Sequence, residues 1–224
     1  MRIADLPPLL RPRERMLAQG PDSLSDAELI AILLRTGSGG QSAIDLARQL
    51  LERFGSLSAL LRAEATELGG IRGLGDAKRA TLLCMNVLLR RALESELQQG
   101  CLLNSPQAVR RYLQHQFARM DAECFMGLFI DTQGRLIEAV QLATGTLDRV
   151  HIYPREVIRL ALKLNAAAVI FAHNHPGGVA QPSALDKTLT SKLEQAMACV
   201  EVRLLDHLIV AGNQTWSFHE HGLC

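Results

Sequence analysis

Apolar residues are spaced differently in the two halves of the chain. Up to about residue 97 they recur every three to four positions, which is the spacing of amphipathic helices, and no segment alternates as a strand does. Ser25 and Ser42 each begin a capping sequence, and Gly55 is placed to end a helix. The predicted helices begin near Arg13, Ser25, Ser42, Leu57 and Ala65, and residues 70–80 lead into a long helix that runs to about Leu97. We therefore predict an all-α domain over residues 1–97.

After Gln98-Gln99-Gly100, which has the composition of a linker, strand-like and helical segments follow one another. The predicted strands cover residues 123–130, 136–142, 150–153, 166–172, 202–210 and 215–218, and the predicted helices begin near Ser105, Pro154 and Ser183. We predict a second domain over residues 102–224 with a mixed sheet. The chain as a whole is predicted to be an α+β protein, of the α/β type in its second domain.

Composition and charge exclude several classes of protein. The 224 residues are 48% apolar and carry a net charge of +1, so the overall charge points to neither a nucleic acid nor a membrane as partner. The five cysteines are scattered without a Cys-x-x-Cys pair, which favours a reducing compartment. The first residues lack the apolar core of a signal peptide, and no apolar run reaches membrane-spanning length. We predict a cytoplasmic protein that does not contact a membrane.

The candidate chemistry lies directly after the predicted buried strand over residues 166–172. His173 and His175 are two residues apart, so in extended backbone both side chains point to one side. Asp186 follows after a loop rich in Pro and Gly, and three such N and O donors are what a catalytic zinc site requires. However, Ser183 and Asp186 are also a passable helix cap, and a His-x-His pair can be two polar loop residues. These residues alone leave both interpretations open.

A resemblance favours the metal site. His-x-His, seven residues, Ser, two residues and Asp is the spacing of the JAMM (MPN-type) zinc metalloprotease motif. The wider sequence resembles bacterial RadC-like proteins, also called the UPF0758 family, over essentially the whole chain. Four segments carry this likeness: residues 24–29, 34–37, 150–157 and 173–178. The resemblance implies a JAMM/MPN-like second domain with a mixed sheet of cytidine-deaminase-like architecture.

The resemblance also implies roles for individual residues. His173, His175 and Asp186 match the zinc ligands, which implies one Zn²⁺ per chain. Ser183 matches the motif serine, whose hydroxyl would assist the oxyanion or the bound water. Glu123, fifty residues before the first histidine, matches the JAMM glutamate. A carboxylate that is not a ligand is needed to take a proton from the water and deliver it to the leaving amine.

Other residues of the second domain receive lesser roles. Glu138 and Glu156 are the remaining acidic candidates for the base, but Glu138 falls in the middle of a strand, and Glu156, on a helix, is expected to face solvent. Asn174 stands where JAMM deubiquitinases carry Ser or Thr. Since it is not a ligand position, that departure leaves metal binding intact and puts the substrate in doubt.

Further histidines and one cysteine have weaker claims. His151 and His207 also match family positions, and for each we favour a structural over a catalytic role. His219 and His221 form a second His-x-His pair without a third ligand in reach, which predicts a solvated tail. Cys124 falls on a strand and is predicted to belong to the core.

The first domain contains a sequence that resembles a helix-hairpin-helix turn. Gly73 and Gly75 would let backbone N–H groups approach a DNA phosphate. Arg72, Lys78 and Arg79 add positive charge around them. The alternative is a helical corner that needs glycine only for its turn, and the balanced charge of the domain favours that alternative.

The sequence thus leads to two functional hypotheses. The first is a zinc-dependent metalloprotease or isopeptidase that acts on a protein or peptide. The second is a DNA-associated accessory protein, linked to repair or recombination, in which the metal site is structural or vestigial. The first domain could also target the second, so the two hypotheses are compatible.

Overall fold

The fold is that of a computed structural model, which describes residues 7–100, 102, 105–118, 120–145 and 152–224. The chain divides into two compact units, Met1–Leu89 and Arg90–Cys224. In these ranges no helix is both long enough and apolar enough to cross a membrane.

The first unit is helical, as the apolar spacing predicts. Its helices are α1 (Pro12–Gln19), α2 (Asp26–Leu34), α3 (Ala43–Phe54), α4 (Leu57–Arg62) and α5 (Asp76–Gln99), the last of which continues past Leu89. Ser25 and Ser42 both form capping boxes, with Glu28 and Asp45 respectively. Gly55 ends α3 in the left-handed conformation. The apolar faces share one core, which includes Ile30, Leu34, Leu46, Leu50, Leu60, Leu68 and Leu82.

The second unit is built on a five-stranded mixed sheet. Its elements are α6 (Pro106–Phe117), β1 (Cys124–Ile130), β2 (Leu136–Thr144), α7 (Pro154–Lys163), β3 (Ala168–Asn174), α8 (Ala184–Ala198), β4 (Arg203–Ala211) and β5 (Gln214–Ser217). The strand order is β2-β1-β3-β4-β5. Only β3 and β4 pair in parallel among these strands, and α8 connects them.

Both faces of this sheet are covered, so β3 is buried along its whole length. The side chains of Cys124, Met126 and Ile170 belong to the core on the α6 face. The side chains of Phe125 and Phe171 belong to the core on the opposite face, against α7 and α8. Alternation along a strand therefore assigns each residue at the end of β3 to one of the two cores.

The α+β class and the division into a helical and a mixed region are confirmed, and three details differ. The helix predicted at Ala65 is wrong: residues 65–70 form turns, in which the N–H of Gly69 bonds to the carbonyl of Thr66 three residues back and Gly70 takes a φ of +70°. The linker is also wrong in part, since Gln98 and Gln99 belong to α5. The strand predicted over 150–153 falls largely outside the described residues, and so does His151.

Candidate metal centre

The end of β3 brings the two predicted histidines to one face of the sheet. His173 pairs across the sheet with Phe125 of β1, and the two rings are 6.0 Å apart. The ring of His173 therefore lies on the α8 face, where it has no exposed surface. His175 follows two residues later, and its backbone N–H still bonds to Val210 of β4. The strand thus continues past its formal end and keeps both rings on one side.

The residues that the motif predicts as ligands converge in space. Nε2 of His173 lies 3.0 Å from Nε2 of His175 and 3.2 Å from Oδ1 of Asp186. Nε2 of His175 lies 3.6 Å from Oδ2 of the same carboxylate. Bonds of 2.0–2.1 Å to a tetrahedral zinc would hold ligand atoms roughly 3.3 Å apart. In the described part of the chain, this is the one group of His, Cys, Asp and Glu side chains close enough together to hold a metal.

Asp186 is both part of a helix cap and part of this cluster. Its Oδ2 accepts hydrogen bonds from the backbone N–H and the hydroxyl of Ser183, each at 2.7 Å. The Ser183 hydroxyl accepts in turn from the Asp186 N–H at 3.1 Å, which completes the capping box. Asp186 Oδ1 is buried and accepts no hydrogen bond from the described residues. The cap uses one oxygen and leaves the other directed at the histidines.

The electrostatics suit a cation. Burial alone would raise the pKa of Asp186, but the adjacent His173 ring and the bonds from Ser183 outweigh it and hold that pKa well below its ordinary value. The carboxylate is therefore ionised at neutral pH. A negative charge that is 1% exposed beside two imidazole nitrogens fits a bound metal ion.

The loop after β3 orients His175. Its Nδ1 donates to the backbone carbonyl of Val179 at 3.1 Å, since the carbonyl has no proton to give. That leaves Nε2, which faces His173, as the nitrogen available to a metal. Gly177 has a φ of +67°, which lets the loop turn back so that Val179 meets the ring. A cleft of about 270 Å³ borders His175 and Pro176 and is open to solvent.

Asn174 lies between the ligands and points to the other face of the sheet. Its Oδ1 accepts from the backbone N–H of Cys124 at 2.6 Å, and its Nδ2 donates to the carbonyls of Met120 and Ala122 at 3.2 and 3.1 Å. All three bonds hold the segment that enters β1. Glu123 is in that segment, half-buried and directly before β1, and the alternation of β1 continued back by one residue would put it on the face of His173.

Sequence reasoning missed Thr190 and underrated His207. Nδ1 of His173 lies 2.8 Å from Nε2 of His207, and Nδ1 of His207 lies 2.6 Å from Oγ1 of Thr190. Both partner residues are buried. Complete burial and the nearby His173 lower the pKa of His207 well below its ordinary value, so the ring is neutral. The signal in the sequence was the spacing of Asp186 and Thr190, since residues four apart share a helix face.

Both parts of the chain match known protein families. Residues 103–223 match the RadC-like JAB domain, and residues 3–80 match the UPF0758 N-terminal domain. This chain belongs to the RadC-like UPF0758 family. It is 54% identical over 221 residues to a UPF0758 protein of Methylibium petroleiphilum, covering 99% of this chain and 100% of that protein. UPF0758 proteins of Leptothrix cholodnii and of a Janthinobacterium are 51% and 50% identical, over 99% of this chain in each case.

Within the RadC-like domain the remaining candidates lie away from the cluster. Glu138 is exposed on β2, and Glu156 is exposed on α7, where it pairs with Arg159. Cys124 is 1% exposed, and burial raises the pKa of its thiol, as expected for a core residue.

The C-terminal histidine pair is exposed, as predicted, but its segment is not a loose tail. His219 and His221 lie in a short 3₁₀ helix. The His219 N–H donates to Asp206 at 3.0 Å, and the His221 ring stacks on Trp216 with the ring centres 4.3 Å apart.

The turn of the UPF0758 N-terminal domain is used for packing. Lys78 Nζ donates to the carbonyls of Gly37 and Gly73, at 3.1 and 3.0 Å. A Cβ on Gly73 would lie 3.0 Å from Cβ of Ser38, so this glycine is required by close contact as well as by its φ of +90°. Arg79 forms an ion pair with Asp76. Two of the three basic side chains predicted to contact DNA therefore have partners within the unit.

Proposed function

We propose that this protein is a zinc-dependent hydrolase of peptide or isopeptide bonds, with one zinc ion held by His173, His175 and Asp186. The observation that carries the proposal is the buried Oδ1 of Asp186, which accepts no hydrogen bond from the described residues and lies 3.2 Å from an imidazole nitrogen. An unsatisfied buried carboxylate oxygen is costly unless a cation neutralises it. Three protein ligands would leave the fourth position of a tetrahedral ion for water.

The reaction adds the oxygen of water to the carbonyl carbon and breaks the C–N bond. Bound zinc would supply the nucleophile, because it lowers the pKa of its water to about 7. In our proposal Glu123 takes the remaining proton of the water and delivers it to the leaving nitrogen. The place of Glu123 directly before β1, where continued alternation would put it on the face of His173, supports this role. The hydroxyl proton of Ser183 is donated to Asp186, so an oxyanion could use that proton only after this bond has broken.

The test uses the full chain, stripped with a chelator and reloaded with zinc. We expect one zinc per chain, a rise in unfolding temperature on loading, and loss of both in His173→Ala. We expect Glu123→Gln to keep the zinc and to lower kcat/KM by about 10²- to 10⁴-fold on a panel of fluorogenic peptides and Lys-linked isopeptides. Glu138→Gln, an exposed glutamate of β2, is the matched control and should match the wild type. A chain that takes up no zinc, or a Glu123→Gln variant that cleaves normally, would refute the proposal.

A further inference from the structure

We infer that Thr190 and His207 are positioning residues for the metal centre. They form a buried hydrogen-bond chain whose direction puts the proton of the His173 ring on Nδ1, and so leaves Nε2 as the cation ligand. The expected effect on zinc affinity rests on the proposed function. The position of the proton on the His173 ring does not, because it can be measured in the metal-free protein.

The direction of the hydrogen-bond chain is fixed at Thr190, the residue farthest from His173. Oγ1 of Thr190 lies 2.6 Å from the backbone carbonyl oxygen of Asp186 and 2.6 Å from Nδ1 of His207. Two oxygens at that distance must have a proton between them, and the carbonyl has none to give. The single hydroxyl proton of Thr190 is therefore donated to Asp186. Its contact with His207 then requires that the ring donates from Nδ1.

The next two steps follow from the chemistry of a neutral imidazole. A neutral ring has one N–H, and the His207 ring, with no exposed surface, is kept neutral by its burial. With its proton on Nδ1, its Nε2 can only accept. The donor is Nδ1 of His173 at 2.8 Å. With Nδ1 of His173 used in this contact, its Nε2 is the nitrogen left for a cation, and it lies 3.2 Å from Asp186 and 3.0 Å from His175.

The reverse direction does not fit the contacts. It would need the Thr190 hydroxyl to donate to His207, which leaves two oxygens 2.6 Å apart with no proton between them. Neighbouring aromatic rings also hold His207 in place. Phe218 stacks on its ring with the centres 4.7 Å apart, and Phe125 meets it edge-on at 5.3 Å.

The hydrogen-bond chain begins at the backbone of Asp186 and ends beside the side chain of the same residue. It starts at the backbone carbonyl of Asp186 and ends at His173, whose Nε2 lies 3.2 Å from Oδ1 of the Asp186 side chain. Because His175 also uses its Nδ1, in the contact with Val179, the Nε2 atoms of both rings face the carboxylate and are the atoms available to a cation. That arrangement favours binding of a cation, and a helix turn of α8 supplies its scaffold.

The first experiment is long-range ¹H–¹⁵N NMR of histidine side chains in the metal-free full chain. We expect His173 and His207 to carry their protons on Nδ1. In Thr190→Val, which removes the hydroxyl and keeps the shape, we expect His173 to shift toward protonation on Nε2. Protonation of His173 on Nε2 in the wild type, or no change in the variant, would overturn the inference.

The second experiment measures zinc affinity by competition with a chromogenic chelator. Loss of a hydrogen-bond partner behind a ligating histidine costs about 10- to 100-fold in metal affinity, which we expect for Thr190→Val. Thr190→Ser keeps the hydroxyl and should restore the affinity. Thr188→Val is the matched control, because Thr188 makes the same bond to the carbonyl four residues back, at 3.0 Å, on the exposed face of α8. Unchanged affinity in Thr190→Val would overturn the inference.

The outcomes separate this inference from the proposed function. A wild type that binds no zinc but carries the His173 proton on Nδ1 would refute the function and retain the hydrogen-bond chain. The opposite outcome is a wild type that binds zinc and hydrolyses peptides, with Thr190→Val unchanged in zinc affinity and in the His173 tautomer. That result would support the proposed function and refute the inference about Thr190 and His207.

Discussion

At the residue scale, Ser183 and Asp186 combine a helix cap with a ligand. The capping box fixes the carboxylate through Oδ2, because that oxygen accepts two hydrogen bonds from Ser183. The rotation of the side chain is then determined, and Oδ1 faces the histidines. The two interpretations that the sequence left open are therefore compatible, since each uses a different oxygen.

This arrangement predicts different effects for two similar serines. Ser42 forms the same capping box with Asp45 on α3, away from any ligand. Ser183→Ala and Ser42→Ala should each lower the stability of their unit by about 1 kcal/mol, measured by urea unfolding. Ser183→Ala alone should also weaken zinc binding, by about 10- to 100-fold, because Asp186 loses its orientation. Equal zinc affinity in the two variants would show that Ser183 serves only the helix.

At the scale of elements, the end of β3 serves both faces of the sheet. The side chains of His173 and His175 point toward α8. Asn174, between them, points to the other face and holds the segment that leads into β1. The three hydrogen bonds of Asn174 need a side chain that is longer than that of Ser or Thr and has both donors and an acceptor. The departure from the JAMM deubiquitinases at this position thus has a structural reason: Asn174 holds the backbone around Glu123.

We expect Asn174→Ser to separate metal binding from turnover. The variant should still hold one zinc per chain, because no ligand is altered, whereas kcat should fall as the segment carrying Glu123 loosens. Stability should also fall, by about 1–3 kcal/mol, since a buried N–H of Cys124 loses its acceptor. Metal analysis, steady-state kinetics and thermal unfolding together check this prediction. Wild-type kcat in the variant would mean that Asn174 does not position the glutamate.

At the scale of the whole molecule, charge is balanced in both regions. Residues 1–97 carry 13 basic and 12 acidic side chains, and residues 98–224 carry 11 of each. No region therefore creates a strong field for steering a polyanion. The turn at Gly73 adds little positive charge that a polyanion could bind, because Lys78 and Arg79 have partners within the first unit. Contact with DNA through this turn is a secondary proposal.

This proposal predicts weak binding with a shallow dependence on salt. If the turn contacts DNA, Arg72→Ala should lower the affinity of the full chain for a short duplex and reduce the salt slope by about 1. Lys78→Met should instead lower the unfolding temperature, since its amino group joins two backbone carbonyls. Binding measured by fluorescence anisotropy over a salt series checks the first, and calorimetry the second. Affinity that is indifferent to Arg72 would exclude this turn as the contact.

The sequence determined the features that depend on local spacing. Helical periodicity and the capping residues predicted the first unit and α8, because a helix satisfies its hydrogen bonds between near neighbours in the chain. The motif spacing singled out His173, His175 and Asp186, since a strand end followed by a capped helix brings them together with little freedom. The predicted strands were correct to within about two residues in the described part of the sheet.

Tertiary structure alone decided how distant residues support the site. Thr190, His207 and Asn174 act through partners 17 to 54 residues away in the chain, and those contacts depend on the order of the strands and on which face each residue occupies. The sequence made Lys78 a candidate for binding phosphate, but in the fold its amino group donates to the carbonyls of Gly37 and Gly73. A pattern of residue types records which groups can donate or accept, but only the fold determines which partner each one meets.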